Sequence, residues 1–330
     1  MDRSSALSRL RSAVTAFARR YPADRWCVGL SGGADSLALT AVAAALKPTT
    51  ALIVDHGLQT GSADVAANAA AQARQLGCVD AQVLCVSVGT GGGPEAAART
   101  ARYDALDAAR DGTPVLLAHT LDDQAETVLL GLGRGSGPRS IAGMRVWDPP
   151  WGRPLLEVRR ADTEAGCAEL GLTPWQDPHN TDPRYTRVRL RSEVLPLLED
   201  VLAGGVTEAL ARTAAQLQQD EDALRLLAGR ILTQADRSDG LDVAAMHGQP
   251  AALISRVVKR WAEQGGAGPL TAEHVRQLVR LVTDWRGQDG VDLPGGYRAC
   301  RTSGRLVLDP ARAVRLVRPD ARTDLETKRE

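Results

Sequence analysis

In Trp26-Cys27-Val28-Gly29-Leu30-Ser31-Gly32-Gly33-Ala34-Asp35-Ser36-Leu37-Ala38-Leu39, an apolar run meets a short glycine-containing turn, and an Ala/Leu-rich segment then continues to about Leu46. The apolar run has the length of a buried strand, and the Ala/Leu-rich segment has the length of a helix. The pattern predicts a strand, a tight loop and a helix in immediate succession. A turn of this kind is well suited to binding an anion.

The small residues of the turn predict a phosphate site. Gly32 and Gly33 allow backbone angles and a close approach that a Cβ would prevent, so several N–H groups can face one ligand. The following helix adds the positive end of its dipole, and Ser31 and Ser36 offer hydroxyl groups. Asp35 would repel a phosphate unless a cation lay between them, which favours a nucleotide bound with Mg²⁺. The alternative is a plain strand-to-helix turn in which Asp35 only begins the helix.

Composition and motif spacing exclude several classes of protein. The turn lacks the Gly-Lys-Ser/Thr ending of a Walker A motif, which disfavours γ-phosphate transfer. It also lacks the G-x-G-x-x-G spacing of dinucleotide-binding loops. A length of 330 residues suits two domains, and 44% of the residues are hydrophobic. The charges of the 40 basic and 40 acidic residues cancel, so nucleic acid could be bound only by local basic patches. Five scattered cysteines without a C-x-x-C pair argue against disulfides, zinc sites and iron–sulfur clusters.

The sequence shows neither a membrane-spanning segment nor a secretory signal. It has no apolar run of the about 18 residues that span a bilayer, and residues 1–20 have no continuous apolar core of a signal peptide. We therefore expect a soluble, cytoplasmic protein that has no membrane partner.

Strand-like and helix-like segments alternate in the first half of the chain. Strands are predicted at 50–55, 81–88 and 114–119, and helices at 5–19, 63–76 and 95–109. This alternation predicts a parallel, doubly wound α/β sheet. Because ligands lie beyond the carboxyl ends of such strands, Asp55 and His56 should lie near the nucleotide. The glycine-rich residues 89–94 predict a mobile loop over the site.

A second informative segment is His119-Thr120-Leu121-Asp122-Asp123-Gln124-Ala125-Glu126-Thr127. Thr120 and Asp123 have the spacing of a capping box, so a helix should begin here. Asp123 and Glu126 share one face of that helix, where two carboxylates can hold a cation or a ligand ammonium group. The alternative is that acidic residues merely suit the positive end of the helix dipole.

The pattern changes after about residue 200. Residues 206–232 predict one long helix, 251–264 and 271–285 predict two amphipathic helices, and 290–309 predict short strands. We expect four parts: a catalytic domain at 1–205, a helical connector at 206–235, a small α+β domain at 236–310 and a flexible tail at 311–330. Arg184, Arg187 and Arg191 would share one face if helical, as a phosphate-binding stripe or as a solvated face.

These motifs resemble those of a known superfamily. Ser31-Gly32-Gly33-Ala34-Asp35-Ser36 is similar to the SGGxDS loop of the PP-loop ATP pyrophosphatases, which activate a carbonyl oxygen by adenylylation and release pyrophosphate. Within that superfamily, the chain resembles the tRNA(Ile)-lysidine synthetase family over residues 25–198. The segments that carry this resemblance are Val54-Asp55-His56-Gly57-Leu58, Ala98-Arg99, Ala101-Arg102-Tyr103, His119 to Thr127, Arg134-Gly135-Ser136-Gly137, Arg153-Pro154-Leu155-Leu156, Asp177-Pro178-His179-Asn180, Tyr185 to Arg191 and Leu195-Pro196-Leu197-Leu198. The chain departs from the family at Thr120, where many members have a second histidine.

The resemblance implies an adenine nucleotide alpha hydrolase-like catalytic domain and an ATP-dependent ligase. L-lysine would be joined to C2 of the wobble cytidine of tRNA(Ile) with a CAU anticodon, forming lysidine through an adenylylated tRNA. Codon specificity would change from AUG to AUA, and aminoacylation identity from Met to Ile. ATP and Mg²⁺ are the implied cofactors, and a homodimer is an open alternative to a monomer.

The resemblance also assigns roles to individual residues. The implied catalytic residues are Asp35, His119, Asp123, Glu126 and Arg191, with Asp35 also as the Mg²⁺ ligand. The implied nucleotide-binding residues are Ser31, Gly32, Gly33, Ala34, Asp35, Ser36, Asp55, His56 and Arg102. The implied tRNA-binding residues of the matched region are Arg99, Arg134 and Arg187. In the C-terminal domain, the basic residues Arg256, Lys259 and Arg260 suit a tRNA-holding surface or, as the alternative, a solvated basic face. The base that deprotonates the lysine amine is open among Asp35, Asp123 and His119.

Three other functions compete with this interpretation. A PP-loop tRNA thiolation enzyme would need a reactive cysteine, a C-x-x-C pair or a cluster, and Cys27 lies in a predicted buried strand. A small-molecule amidating synthetase would leave the arginine-bearing C-terminal domain unexplained. A non-catalytic tRNA-binding module would not need both Asp35 and the Asp123/Glu126 pair.

Overall fold

The computed structural model describes residues 5–57, 59, 61–89, 93–135 and 137–310. The chain divides into two compact units, residues 1–219 and 220–330. Residues 90–92 of the predicted loop and the predicted tail at 311–330 lie outside the described residues. None of the described helices combines the length and the apolar composition that a bilayer span requires.

The first unit alternates helices with short strands. Its helices are α1 (Ala6–Arg20), α2 (Ala34–Leu46), α3 (Ser62–Gln75), α4 (Pro94–Ala109), α5 (Leu121–Arg134), α6 (Pro138–Ile141), α7 (Arg160–Glu169), α8 (Thr186–Arg189) and α9 (Leu195–Val201). Its strands are β1 (Trp26–Gly29), β2 (Thr49–Asp55), β3 (Asp80–Cys85), β4 (Val115–Leu116), β5 (Trp147–Asp148) and β6 (Trp151–Gly152). A π-helical turn, Leu190–Val194, joins α8 to α9.

The described strands of this unit form one sheet in the order β3-β2-β1-β4-β6-β5. The pairs among β3, β2, β1, β4 and β6 are parallel, and β5 is an antiparallel edge strand. The predicted parallel α/β sheet is confirmed. The chain runs from β1 outward through β2 to β3 and then places β4 on the other side of β1. Strand order therefore reverses between β1 and β4, which is where ligands bind in doubly wound sheets.

Both faces of the central strand β1 are buried. Val28 packs in a cluster with residues of α1 and α2 such as Leu10 and Leu37, whereas the adjacent Cys27 packs in a second cluster with Leu106 of α4. Neighbouring residues of a strand point to opposite faces, so β1 needs apolar side chains throughout. This explains why Trp26 to Val28 form a continuous apolar run.

Two predicted strands are shorter than expected. The strand predicted at 114–119 is only β4, and the strand predicted at 81–88 ends at Cys85. β4 pairs with β1 over two residues and with β6 over two residues, and its register with β6 ends at Gly152. Residues 118–120 are thereby left as an extended segment that leads to the next helix.

The helix α10 (Val206–Ala235) begins in the first unit and ends in the second. The second unit adds helices α11 (Ala251–Gln264) and α12 (Ala272–Thr283), and strands β7 (Asp236–Arg237), β8 (Gly240–Asp242), β9 (Val291–Leu293), β10 (Tyr297–Thr302) and β11 (Arg305–Pro310). The strands form an antiparallel sheet in the order β7-β8-β11-β10-β9. Val257, Leu278 and Leu306 are fully buried in its core. The predicted α+β character of the C-terminal region is confirmed.

Candidate active site

The phosphate loop, residues 30–36, leaves the carboxyl end of β1 and enters α2 at Gly33. Gly32 has a φ of +83°, a left-handed conformation that side chains disfavour. The buried Ser36 hydroxyl accepts the Ser31 N–H (3.2 Å) and donates to the Gly33 carbonyl (2.9 Å). Ser36 therefore closes the loop, while Ser31 is exposed. Asp35 lies in the first turn of α2, where the helix dipole favours a negative charge.

A loop near the phosphate site comes from distant sequence. The backbone N–H of Trp175 donates to the Gly32 carbonyl at 2.9 Å. Trp175 itself is half-buried. A Cβ on Gly32 would lie 3.8 Å from the Trp175 Cβ, so the two segments are in van der Waals contact. The 172–177 segment thus forms part of the wall of the phosphate loop.

Asp55 is the last residue of β2, and His56 follows it at the same edge of the sheet. Oδ1 of Asp55 accepts the Gly57 N–H at 2.9 Å. Both His56 ring nitrogens are buried without a hydrogen-bond partner in the described part of the chain. Burial and the nearby Arg102 guanidinium lower the pKa of His56, against the opposing effect of Asp55. A neutral His56 can therefore offer one donor and one acceptor to a ligand.

The helix α5 begins with the predicted capping box. Oδ2 of Asp123 accepts the Thr120 N–H at 2.8 Å, and the Thr120 hydroxyl accepts the Asp123 N–H at 3.4 Å. Thr120 is fully buried. The residue at which the chain departs from the family pattern is thus the N-cap of α5, a position that threonine suits and histidine does not.

Asp35, Asp123 and Glu126 form a carboxylate cluster around two arginines. Nη2 of Arg160 lies 2.5 Å from Oδ1 of Asp123, Nε lies 3.3 Å from Oδ2 of Asp35, and Nη1 lies 3.6 Å from Oε1 of Glu126. Nε of Arg191 lies 2.7 Å from the same Glu126 oxygen. Of the predicted catalytic residues, the structure thus brings Asp35, Asp123, Glu126 and Arg191 together.

Arg160 is a residue that sequence reasoning missed. It is the first residue of α7, where a basic side chain opposes the helix dipole. That unfavourable placement, directly after a second arginine, is the signal that could have marked it. Thr163, one turn later and fully buried, donates to Asp35.

The charges of the cluster shift the pKa values of its members. Burial raises the pKa of Asp35, although the Thr163 hydroxyl and Arg160 oppose the shift. Burial likewise raises the pKa of Glu126 against the effect of Arg191. Burial acts the same way on Asp123, but Arg160 and the Thr120 hydrogen bonds prevail and lower its pKa. The pKa of Asp123 is therefore lowered while those of Asp35 and Glu126 are raised, although one guanidinium contacts all three carboxylates.

His119 lies immediately before the N-cap of α5. Burial lowers the pKa of His119 to about 3, and Arg153, Arg99 and Arg187 act in the same direction. Its Nδ1 has no hydrogen-bond partner among the described residues. The imidazole is therefore neutral near pH 7 and is a weak base.

The predicted tRNA-binding arginines of the first unit have varied surroundings. Arg99 stacks over Tyr103 at 4.8 Å, Arg134 is exposed at the end of α5, and Arg187 is half-buried near His119. The predicted stripe of Arg184, Arg187 and Arg191 is wrong in one member. Arg184 lies in a turn that precedes α8, and it pairs with Asp182 at 2.6 Å.

In the second unit, the predicted basic residues lie on α11. Arg256 pairs with Glu221, and Lys259 lies 3.8 Å from Glu263. Arg260 is exposed. Of these three, Arg260 is the side chain best placed to meet a ligand from solvent.

The site fits a metal ion only together with a nucleotide. Within the described residues, no group of three or more His, Cys, Asp or Glu side chains could hold a metal ion. Mg²⁺ commonly binds one or two carboxylates plus substrate phosphates, and Asp35 beside the phosphate loop has the hard oxygen donors for this. The residues present therefore fit Mg²⁺ carried by a nucleotide.

Comparison with known proteins agrees with this geometry. A family model described as a PP-loop domain matches residues 6–198, and a model described as the TilS substrate binding domain matches residues 241–307. The fold and the loop thus define a PP-loop enzyme. The tRNA(Ile)-lysidine synthase of Mycobacterium bovis is 62% identical over 319 residues, which cover 93% of this chain and 98% of the relative. The corresponding synthase of Mycolicibacterium paratuberculosis is 64% identical over 301 residues, which cover 89% and 94%. The chain belongs to the tRNA(Ile)-lysidine synthase family.

A solved structure supports the fold. The U34-tRNA thiolase NcsA from Methanococcus maripaludis with its 4Fe-4S cluster superimposes with a TM-score of 0.52 at 17% identity. The match covers 65% of this chain and 80% of the thiolase. At this identity the likeness concerns the fold alone.

Proposed function

We propose that this protein uses ATP to join L-lysine to the wobble cytidine of tRNA(Ile) with a CAU anticodon, forming lysidine. The observation that carries the proposal is the position of the carboxylate cluster. Asp123 and Glu126 stand at the start of α5, and Arg160 joins them to Asp35 of the phosphate loop. A site for phosphates and a site for an ammonium group therefore share one edge of the sheet. The names of the relatives point to the same reaction.

The reaction divides into two steps. In the first, the C2 oxygen of cytidine attacks the α-phosphorus of ATP, a P–O bond forms, and pyrophosphate leaves. In the second, the lysine ε-amine attacks C2, a C–N bond forms, and AMP leaves with the oxygen. Mg²⁺, when bound, supplies charge neutralisation at the phosphates. The phosphate loop orients the nucleotide through its backbone N–H groups and the N-terminus of α2.

The carboxylate cluster suits the amine substrate. Glu126 is fully buried beside Arg191 and Arg160, so an entering ammonium group meets oxygen acceptors that are already held in place. The ammonium must lose a proton before attack. His119 is a poor candidate for this base, because burial lowers its pKa to about 3. Asp35, whose pKa burial raises, has the higher proton affinity of the two carboxylates considered.

The second unit supplies the proposed tRNA surface. The match to a substrate-binding domain covers residues 241–307, and Arg256, Lys259 and Arg260 lie inside it. Exposed guanidinium groups bind phosphates of RNA without reading bases. In the first unit, Arg99, Arg134 and Arg187 are the proposed tRNA contacts.

A thiolation reaction is not favoured. Burial raises the pKa of Cys27, Cys78 and Cys167 to about 11, so these thiols stay protonated near pH 7. Sulfur transfer needs a thiolate or a cluster. The described cysteines are free and show no metal-binding group.

Incorporation of labelled lysine tests the proposal. Purified protein, ATP and Mg²⁺ are incubated with CAU-anticodon tRNA(Ile) or with a methionine tRNA that has the same anticodon. Label in tRNA(Ile) alone is the expected result. Absence of label in both, with pyrophosphate released on addition of another acceptor, would keep the adenylylation chemistry and overturn the substrate.

A further inference from the structure

Arg160 contacts all three carboxylates of the cluster. Its Nε, Nη2 and Nη1 face Asp35, Asp123 and Glu126 at 3.3, 2.5 and 3.6 Å. Its side chain is 18% exposed. One largely buried guanidinium thus lies where the carboxylate of the phosphate loop faces the carboxylates of α5.

The surroundings of Arg160 hold it in this place. Its backbone N–H donates to Oδ2 of Asp122 at 2.8 Å, and its carbonyl accepts the Thr163 hydroxyl at 2.7 Å. The Thr163 hydroxyl also contacts Oδ1 of Asp35, while Arg160 takes Oδ2. Both oxygens of Asp35 therefore have partners from α7. An arginine fork is suited to serving several oxygens at fixed angles.

This arrangement conflicts with direct access of a metal ion to Asp35. A divalent cation on Asp35 would stand next to the guanidinium, and two positive groups that share one carboxylate repel each other. An ammonium group at Asp123 would likewise be repelled by the Arg160 guanidinium, which contacts that carboxylate. Entry of either cation requires Arg160 to yield one of its contacts.

We propose that Arg160 is a positioning residue: it is the resident counter-cation of the cluster, and the divalent cation and the substrate ammonium enter by exchange with it. This inference rests on the proposed function of Asp35 as the Mg²⁺ ligand. Arg160 keeps the carboxylates aligned before the ligands arrive. It also keeps a free divalent cation from the site until nucleotide phosphates supply further ligands.

Direct binding of Mn²⁺ to the nucleotide-free protein tests the exchange. Arg160→Met removes the competing charge, so Mn²⁺ should bind about tenfold tighter than to the wild type, measured by calorimetry. The matched control is Arg159→Met, because Arg159 is the neighbouring arginine and pairs with Asp122 and Glu208 outside the cluster. It should leave the Mn²⁺ affinity unchanged. An unchanged or weaker affinity in Arg160→Met would overturn the proposal.

Turnover gives a second readout. Arg160→Met should lower kcat for lysine ligation by about tenfold or more without raising KM for lysine, because the cluster keeps its charge and loses its alignment. Arg160→Lys keeps the charge but not the fork, so the Mn²⁺ affinity should stay within about twofold of wild type while kcat falls. If Arg160→Met fails to fold by circular dichroism, Arg160→Lys carries the test, and wild-type kcat in that variant would overturn the proposal.

Asp35→Asn separates this inference from the proposed function. If Mn²⁺–ATP binds Asp35→Asn as tightly as wild type, the proposed metal ligand is wrong. If Asp35→Asn loses Mn²⁺–ATP binding while Arg160→Met matches the wild type in Mn²⁺ affinity, Asp35 is a metal ligand and the proposed exchange of Arg160 with the cation is wrong.

Discussion

Nε of Arg191 lies 2.7 Å from Oε1 of Glu126, although the two residues are 65 positions apart in the chain. The Glu126 side chain is fully buried, so its negative charge depends on this contact and on Arg160. The pair ties the π-helical turn after α8 to the start of α5. Two separate segments of the sequence therefore form one charged surface at the edge of the sheet.

Glu126→Gln should raise KM for lysine by about tenfold or more, because the ammonium group loses a charged acceptor. The free energy of unfolding should fall by about 1–3 kcal/mol, since the guanidinium groups of Arg160 and Arg191 lose the negative charge of Glu126 that faces them. Steady-state kinetics and urea unfolding measure the two effects. Glu193→Gln is the control, because Glu193 is the exposed partner of Arg189 in the same region. An equal rise in KM in both variants would contradict a role for Glu126 in lysine binding.

Asp35→Asn should abolish pyrophosphate release while leaving the thermal unfolding transition in place. An amide cannot supply the negative charge that a cation beside the phosphates needs. Asp64→Asn is the matched control, because Asp64 is an exposed acidic residue in the first turn of α3. Pyrophosphate release at the wild-type rate in Asp35→Asn would remove this carboxylate from the mechanism.

His119 should make the protein less stable as the pH falls. Its pKa is about 3 in the folded state, compared with an ordinary value of 6.5, so the unfolded chain holds more protons between these values. The contribution to stability is complete above about pH 6.5 and is lost progressively as the pH falls toward 3. Asp35 and Glu126 titrate in the opposite sense because burial raises their pKa values. Urea unfolding of wild type and His119→Gln from pH 7.5 to 5 isolates the histidine, and the variant should show the shallower loss. Equal slopes would contradict the prediction.

Two glycines of α5 should respond to alanine in opposite directions. A Cβ on Gly131 would lie 2.1 Å from the backbone oxygen of Ser140, whereas a Cβ on Gly133 would meet nothing within 4 Å. Gly131→Ala should therefore destabilise the protein by about 1–3 kcal/mol. Gly133→Ala should stabilise it by about 0.5–1 kcal/mol, because alanine restricts the unfolded chain. Chemical unfolding measures both changes. A stabilising Gly131→Ala would show that α5 and α6 do not approach so closely.

Arg260→Glu should weaken tRNA binding and reduce the salt dependence of the affinity by about one counterion. ATP binding should not change. Arg256→Gln gives a comparison within α11: because Arg256 already pairs with Glu221, this variant should weaken tRNA binding less than Arg260→Glu does and should lower stability more. Filter binding at several salt concentrations makes the measurement. Wild-type affinity and salt dependence in Arg260→Glu would refute this part of the tRNA surface.

Local features of the site could be predicted from the sequence because short-range rules govern them. The capping box of Thr120 and Asp123 is a three-residue spacing, and the structure shows both of its hydrogen bonds. Asp123 and Glu126 contact the same guanidinium, as residues on one helix face should. The strand, loop and helix around Asp35 follow from hydrophobic runs and small residues. Arg184 shows the limit of such rules, since its helical spacing to Arg187 fails where the helix has not yet begun.

By itself, the sequence determined the alternation of strands and helices, the phosphate loop and the acidic start of α5, since periodicity and turn chemistry act over a few residues. Only the tertiary structure decided that Arg160 lies among these groups. Arg160 is 125 positions from Asp35 and 37 from Asp123, and no local pattern relates them. Their meeting depends on how the start of α7 packs beside the ends of parallel strands. That packing is set by the burial of both faces of the central strand β1, to which residues along the whole first unit contribute.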